Sequence, residues 1–99
     1  MYYRVIIASL AKDELQNSYD WYEKQKFGLG ERFLLVIEQA ISSISNNPEF
    51  YPVKVNAYRQ YVVSKFPYVL VYELLPKDNL IYILHIFNTN QEPEKKIKI

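Results

Sequence analysis

Arg59-Gln60-Tyr61-Val62-Val63-Ser64-Lys65-Phe66-Pro67-Tyr68-Val69-Leu70-Val71-Tyr72 is the stretch on which the rest of the chain is read. Its two β-rich runs, residues 58–63 and 68–74, are joined by Ser64-Lys65-Phe66-Pro67, where a proline that cannot donate a ladder hydrogen bond marks a turn or strand edge. The pattern predicts a β-hairpin. Arg59 and Lys65 stand among Tyr58, Tyr61 and Tyr68, so the hairpin is suited both to anchor a sheet and to offer cations and aromatic surface to an anionic partner.

Beyond the hairpin, Pro76-Lys77-Asp78-Asn79 predicts a turn, and residues 80–87 form an almost continuous apolar run that reads as the central strand. Three strands with short connections predict an antiparallel meander. Before the hairpin, residues 49–57 contain Pro52 and no clear period, which predicts a loop. Further upstream, Phe33, Ile37, Ala40, Ile41 and Ile44 recur at helical spacing, with Glu31 in the first turn and Asn46-Asn47-Pro48 at the end. An earlier helix follows from Ala11, Leu15, Tyr19 and Tyr22, with Ser9 as its expected cap. Tyr19, Tyr22 and Tyr72 are expected in the core. Asp20/Lys24 and Glu23/Lys26 lie at pairing distance on what reads as the solvated side. Phe27-Gly28-Leu29-Gly30 holds both glycines of the protein and separates the helices with a tight connection. Residues 3–7 are β-branched and predict a first strand joining the sheet. The fold class is therefore α+β: an N-terminal strand, a two-helix hairpin, then a three-stranded antiparallel meander with the helices on one face. Apolar residues occupy both faces of the last two strands, so the pattern leaves the helix-facing side open.

Ninety-nine residues make one domain, residues 1–99, with 92–99 a polar, lysine-rich tail. Nearly half the residues are hydrophobic, which argues against disorder, and no apolar run approaches the roughly 18 residues of a membrane span. No secretory leader is evident, so a cytoplasmic protein without a membrane partner is expected. Cysteine is absent, which removes disulfides, thiolate nucleophiles and zinc–thiolate sites. A net charge of +1 argues against a general nucleic-acid binder, since neutralising about six phosphates would take half of the 12 basic residues.

The order of these elements resembles the RelE/ParE family of toxins from bacterial type II toxin–antitoxin systems. The likeness spans residues 3–93 and is carried by Ala11 with Leu15, Trp21-Tyr22, Gly28-Leu29-Gly30, Arg32-Phe33, Asn47-Pro48, Tyr58-Arg59, Lys65-Phe66-Pro67-Tyr68, Tyr72 and Pro93. The resemblance implies a growth-inhibiting toxin of the plasmid-stabilisation type, held inactive by a cognate antitoxin, as a homodimer or a toxin–antitoxin hetero-oligomer. No small-molecule substrate is expected, and with no Gly-rich phosphate loop and no His/Asp/Glu cluster at metal-ligand spacing, no cofactor either. Family members divide between ribosome-dependent mRNA endonucleases, or mRNA interferases, and inhibitors of DNA gyrase, and a third possibility is a non-toxic relative that still binds an antitoxin.

Metal-free RNA cleavage needs a base, a cation for the transition state and an acid for the leaving oxygen. Arg59, Lys65 and His85 are the candidate catalytic residues by type, although His85 alternates with Ile81, Ile83 and Phe87, and a packed role is favoured for it. RelE-like nucleases resemble one another in placing basic and acid–base groups after the last strand, where this chain reads Asn88-Thr89-Asn90-Gln91-Glu92-Pro93. Asn88 stands where many relatives carry histidine, and an amide does not shuttle a proton near neutral pH. The expectation is a gyrase-type inhibitor more than an enzyme, with Arg59, Tyr61, Lys65, Tyr68, Asn88 and Gln91 as target-binding residues and no metal. On that expectation, Arg59→Ala abolishes toxicity with little loss of fold.

Overall fold

The computed structural model describes residues 3–90. Strand β1 (Arg4–Ile7) leads into helices α1 (Ser9–Gln25) and α2 (Leu29–Asn46), followed by β2 (Val53–Val55), β3 (Tyr58–Val62), β4 (Tyr68–Leu75), a 3₁₀ turn (Pro76–Asp78) and β5 (Leu80–Asn88). The strands form one sheet in the order β1-β5-β4-β3-β2. The α+β class, the helix pair and the hairpin all match the expectation, and β1 lies parallel to β5 in the register Arg4↔Leu80 to Ile7↔Ile83.

Several local expectations change. Residues 49–57 are not all loop, because β2 pairs antiparallel with β3 through an irregular register. Asn56 takes a left-handed φ of 52°, which lets the chain double back within two residues. Ser9 does not cap α1. Ala8 holds that position without a side-chain cap, and its N–H instead donates to Ile83 O at 2.9 Å, so the helix starts directly off the sheet. The middle strand is β4, with β5 beside it.

The register also settles which face meets the helices, since directly paired residues share a face. Tyr68, Leu70 and Tyr72 of β4 join Ala11 of α1 and Phe33, Ile37, Ala40 and Ile44 of α2 in one buried cluster. On β5 the inward set is Ile81 and Ile83, then Ile86. The switch from a step of two to a step of three comes from a bulge: Val71 pairs with His85 but Tyr72 pairs with Ile83, so Leu84 has no opposite number. His85 and Phe87 thereby fall on the other face with Val71 and Val69.

The helix hairpin is fixed by one carboxylate. Glu23 accepts the N–H groups of Gly28 and Gly30, both at 2.9 Å, and so satisfies two of the unpaired donors at the start of α2. Glu23 is thus a cap rather than a solvated partner of Lys26. Gly28 has a φ of 87°, the left-handed region where a side chain is strained. Gly30 is needed for a different reason: a Cβ there would stand 2.9 Å from the Tyr19 carbonyl. Tyr19 itself is not core. Its hydroxyl donates to Glu31 across the helix pair, and that bond, ahead of desolvation and nearby carboxylate charge, pushes its pKa up to about 12.

Candidate functional site

The sequence-predicted site residues fall into three separate places. Arg59 pairs with Tyr72 and Tyr61 with Leu70, so both point to the helix side of the sheet. Arg59 Nη1 donates to the carbonyls of Glu49 (3.1 Å) and Tyr51 (2.6 Å), while the Tyr72 hydroxyl donates to Pro48 O at 2.7 Å. The Tyr61 ring packs on Tyr51 with centroids 4.8 Å apart. Arg59 therefore works with Tyr72 as a clamp that gives residues 48–51 their path from α2 to β2. Burial pushes the Tyr72 hydroxyl up to about 12, against the opposing pull of the Arg59 charge.

Lys65 occupies the β3–β4 turn with a φ of 75° and is exposed. Its neighbour Phe66 is held against Tyr22 and Phe33, at ring distances of 5.1 and 5.3 Å, so the turn is pinned to the helices while the lysine stays in solvent. Burial, followed by Tyr68, pushes Tyr22 up to about 12 within this aromatic cluster.

Tyr68 and Asn88 are brought together. They are directly paired across β4 and β5, and Asn88 Nδ2 donates to the Tyr68 hydroxyl at 3.4 Å, which in turn donates to Ser18 Oγ at 2.8 Å. With Asn17 and Trp21 of α1 they line an open cavity of about 270 Å³. A smaller cavity of about 120 Å³ adjoins it through the shared Asn17, Ser18 and Asn88, and adds Glu14, Ile86 and Phe87. Gln91 lies outside the described residues.

His85 does not line either cavity; it is a packed residue, 9 % exposed, with Nδ1 3.4 Å from Glu14 Oε2. The other Glu14 oxygen accepts the Ile86 N–H at 2.8 Å. The reason is topological: β1 stops pairing at Ile83, so β5 would run on with an unpaired edge, and Glu14 of α1 supplies the acceptor that a neighbouring strand would have given. Glu14, Asn17 and Ser18 were not singled out from sequence, and Trp21 entered only through the family resemblance. Their spacing of three, four and seven from Glu14 places them on one helical face, a polar stripe running beside the apolar one.

Chemically, the arrangement offers hydrogen-bond acceptors, amides, one carboxylate and an exposed indole. Among the described residues no group of three or more His, Asp or Glu side chains is placed to hold a metal ion. No helix among them is long and apolar enough to cross a membrane.

Solved structures share this architecture. A chain of the chromosomal ParDE toxin–antitoxin system from P. aeruginosa superposes with a TM-score of 0.78 at 15 % identity, covering 90 % of this chain and 98 % of that one. A chain of the RelBE2 toxin–antitoxin complex from Mycobacterium tuberculosis gives 0.63 at 19 % identity, covering 89 % and 99 %. One from the intact E. coli RelBE complex gives 0.62 at 11 % identity, covering 92 % and 100 %. At such identities the likeness is one of fold, and it defines the class as RelE/ParE-like. No curated protein matches the sequence significantly. Residues 5–93 match the family model described as the ParE toxin of the type II toxin–antitoxin system parDE, and the chain belongs to that family.

Proposed function

We propose that this ParE-family toxin arrests bacterial growth by binding a protein or protein–DNA target such as DNA gyrase, without cutting RNA, and that a cognate antitoxin neutralises it. The observation that carries the reading is how its three candidate catalytic groups are placed. His85 is packed against Glu14, Arg59 is engaged with two backbone carbonyls, and Lys65 stands exposed in the β3–β4 turn, away from both. General acid–base cleavage needs a proton donor and acceptor converging on one phosphate, and the described residues supply no such convergence. The solved chains of similar fold come from toxin–antitoxin systems, which supports an antitoxin partner here. The outer strands β1 and β2 and the groove of the helix pair are the surfaces suited to an extended or helical segment of it.

Induction in bacteria, with RNA and plasmid DNA taken from one culture, tests the reading. Accumulated gyrase–DNA cleavage complexes with intact messages are expected. Fragmented messages with ordinary supercoiling would overturn it in favour of a ribosome-dependent endonuclease, and unimpaired growth would mark a non-toxic, antitoxin-binding relative.

A further inference from the structure

We propose that the joined cavities between α1 and the ends of β4 and β5 form an anchor pocket for an arginine side chain of a protein partner. The proposal rests on the reading above, that the protein acts through protein partners, and it names the chemistry of the contact.

The lining is rich in acceptors and carries no lysine or arginine of its own. Glu14 contributes a carboxylate and Asn17 an amide oxygen, and the Asn88 amide oxygen and the Ser18 hydroxyl each keep a lone pair beyond the bonds they accept from the Asn90 N–H and the Tyr68 hydroxyl. The carboxylate is also held in place. One oxygen is fixed by the Ile86 N–H at 2.8 Å and the other faces His85 at 3.4 Å, while the side chain stays 22 % exposed and so within reach. Each oxygen keeps a further lone-pair site, which a guanidinium can use in the paired geometry that makes arginine–carboxylate contacts strong and directional.

Trp21 gives the second half of the argument. It is 57 % exposed and stands seven residues, or two helical turns, beyond Glu14 on the same face. Side chains on a helix lean toward its N-terminus, so the indole overhangs the approach to Ser18 and Glu14. An arginine fits that shape with its stem along the indole and its planar head at the carboxylate, a combination that a lysine ammonium meets less well. The helix field agrees. Although the whole chain carries +1, α1 carries Asp13, Glu14, Asp20 and Glu23 against Lys12 and Lys24. That excess attracts a guanidinium and repels the phosphate of a nucleotide, the other ligand for which an indole and two carboxamides would be suited.

Trp21 is the protein's single tryptophan and therefore reports on its own pocket. The purified protein is titrated with acetyl-Gly-Arg-Gly-amide, with the same peptide carrying citrulline or lysine, and with adenosine monophosphate, following indole emission. A saturable shift with the arginine peptide is expected, at least about tenfold weaker with the isosteric, uncharged citrulline peptide. Glu14→Gln keeps an acceptor for the Ile86 N–H and should weaken the arginine peptide by about fivefold or more in protein that is still folded by its melting curve. Asn17→Ala, a substitution outside the core, should weaken it as well if Glu14→Gln proves unstable. Equal response to citrulline, saturation by the nucleotide alone, or no response to any probe would each overturn the proposal. The outcome is separable from the toxin reading: a null titration with gyrase-type arrest sinks only the pocket, and a positive one with fragmented messages sinks only the target class.

Discussion

Replacing Tyr72 by Phe removes a single oxygen, yet its effect should change sign with pH. Tyr72 is fully buried, and its hydroxyl donates to Pro48 O at 2.7 Å. Near neutral pH the substitution leaves that buried carbonyl without its partner, a loss of about 1–2 kcal/mol. In alkali the balance shifts, because burial raises the Tyr72 pKa from 10.0 to about 12. A group whose pKa is raised on folding contributes stability in full below its unfolded pKa and loses it as pH rises through the folded value. The wild type therefore loses about 1.4 kcal/mol from this one residue by pH 11 and somewhat over 2 by pH 12, whereas phenylalanine loses none. Tyr19 and Tyr22 titrate in the same window in both proteins and cancel in the comparison. Urea unfolding followed by Trp21 emission at pH 7, 9, 11 and 12 measures the difference. The stability curves should cross near pH 11, with the variant the less stable below it. A constant gap from pH 7 to 12 would refute the burial argument, and no gap at pH 7 would refute the clamp on Pro48.

Two further substitutions test how the fold positions its surfaces. Arg59→Ala should cost about 2 kcal/mol, lowering the melting temperature by several degrees, since a charged donor leaves the carbonyls of Glu49 and Tyr51; Arg59→Lys should recover only part of this. If the folded Arg59→Ala protein inhibits its target as the wild type does, the residue positions the 48–51 segment; an unchanged melting temperature with lost inhibition would place it at the target instead. Gly30→Ala should destabilise by about 1–2 kcal/mol in thermal unfolding, because a Cβ 2.9 Å from the Tyr19 carbonyl forces the helices apart and outweighs the better helix propensity of alanine. A stabilised variant would show that the helix pair tolerates a wider separation.

The helices and the hairpin were legible because their signals are local. Phe33, Ile37, Ala40 and Ile44 declare a buried helical face by spacing alone, and all four are buried. Strand β2 was hidden by Pro52 and by its length of three residues, too short for an alternation to register. The inward face of β5 was hidden by the bulge at Leu84, which breaks the period of two, and only the paired strand reveals that break. The candidate site divides in the same way. Tyr68 and Asn88 could be named from sequence, but the carboxylate beside them comes from α1, 72 residues before Ile86, whose N–H it accepts. No local pattern carries a contact made across that separation. Arg59 shows the converse: its charge type suggested a working surface, whereas the partners that the fold gives it are backbone carbonyls.

The proposed mode of action makes one demand on purified components. Protein eluted free of any antitoxin is added to DNA gyrase, relaxed plasmid and ATP, and in parallel to translating ribosomes carrying a defined message. Loss of supercoiling with an intact message is the predicted result, whereas normal supercoiling with a message cleaved only in the presence of ribosomes would contradict it.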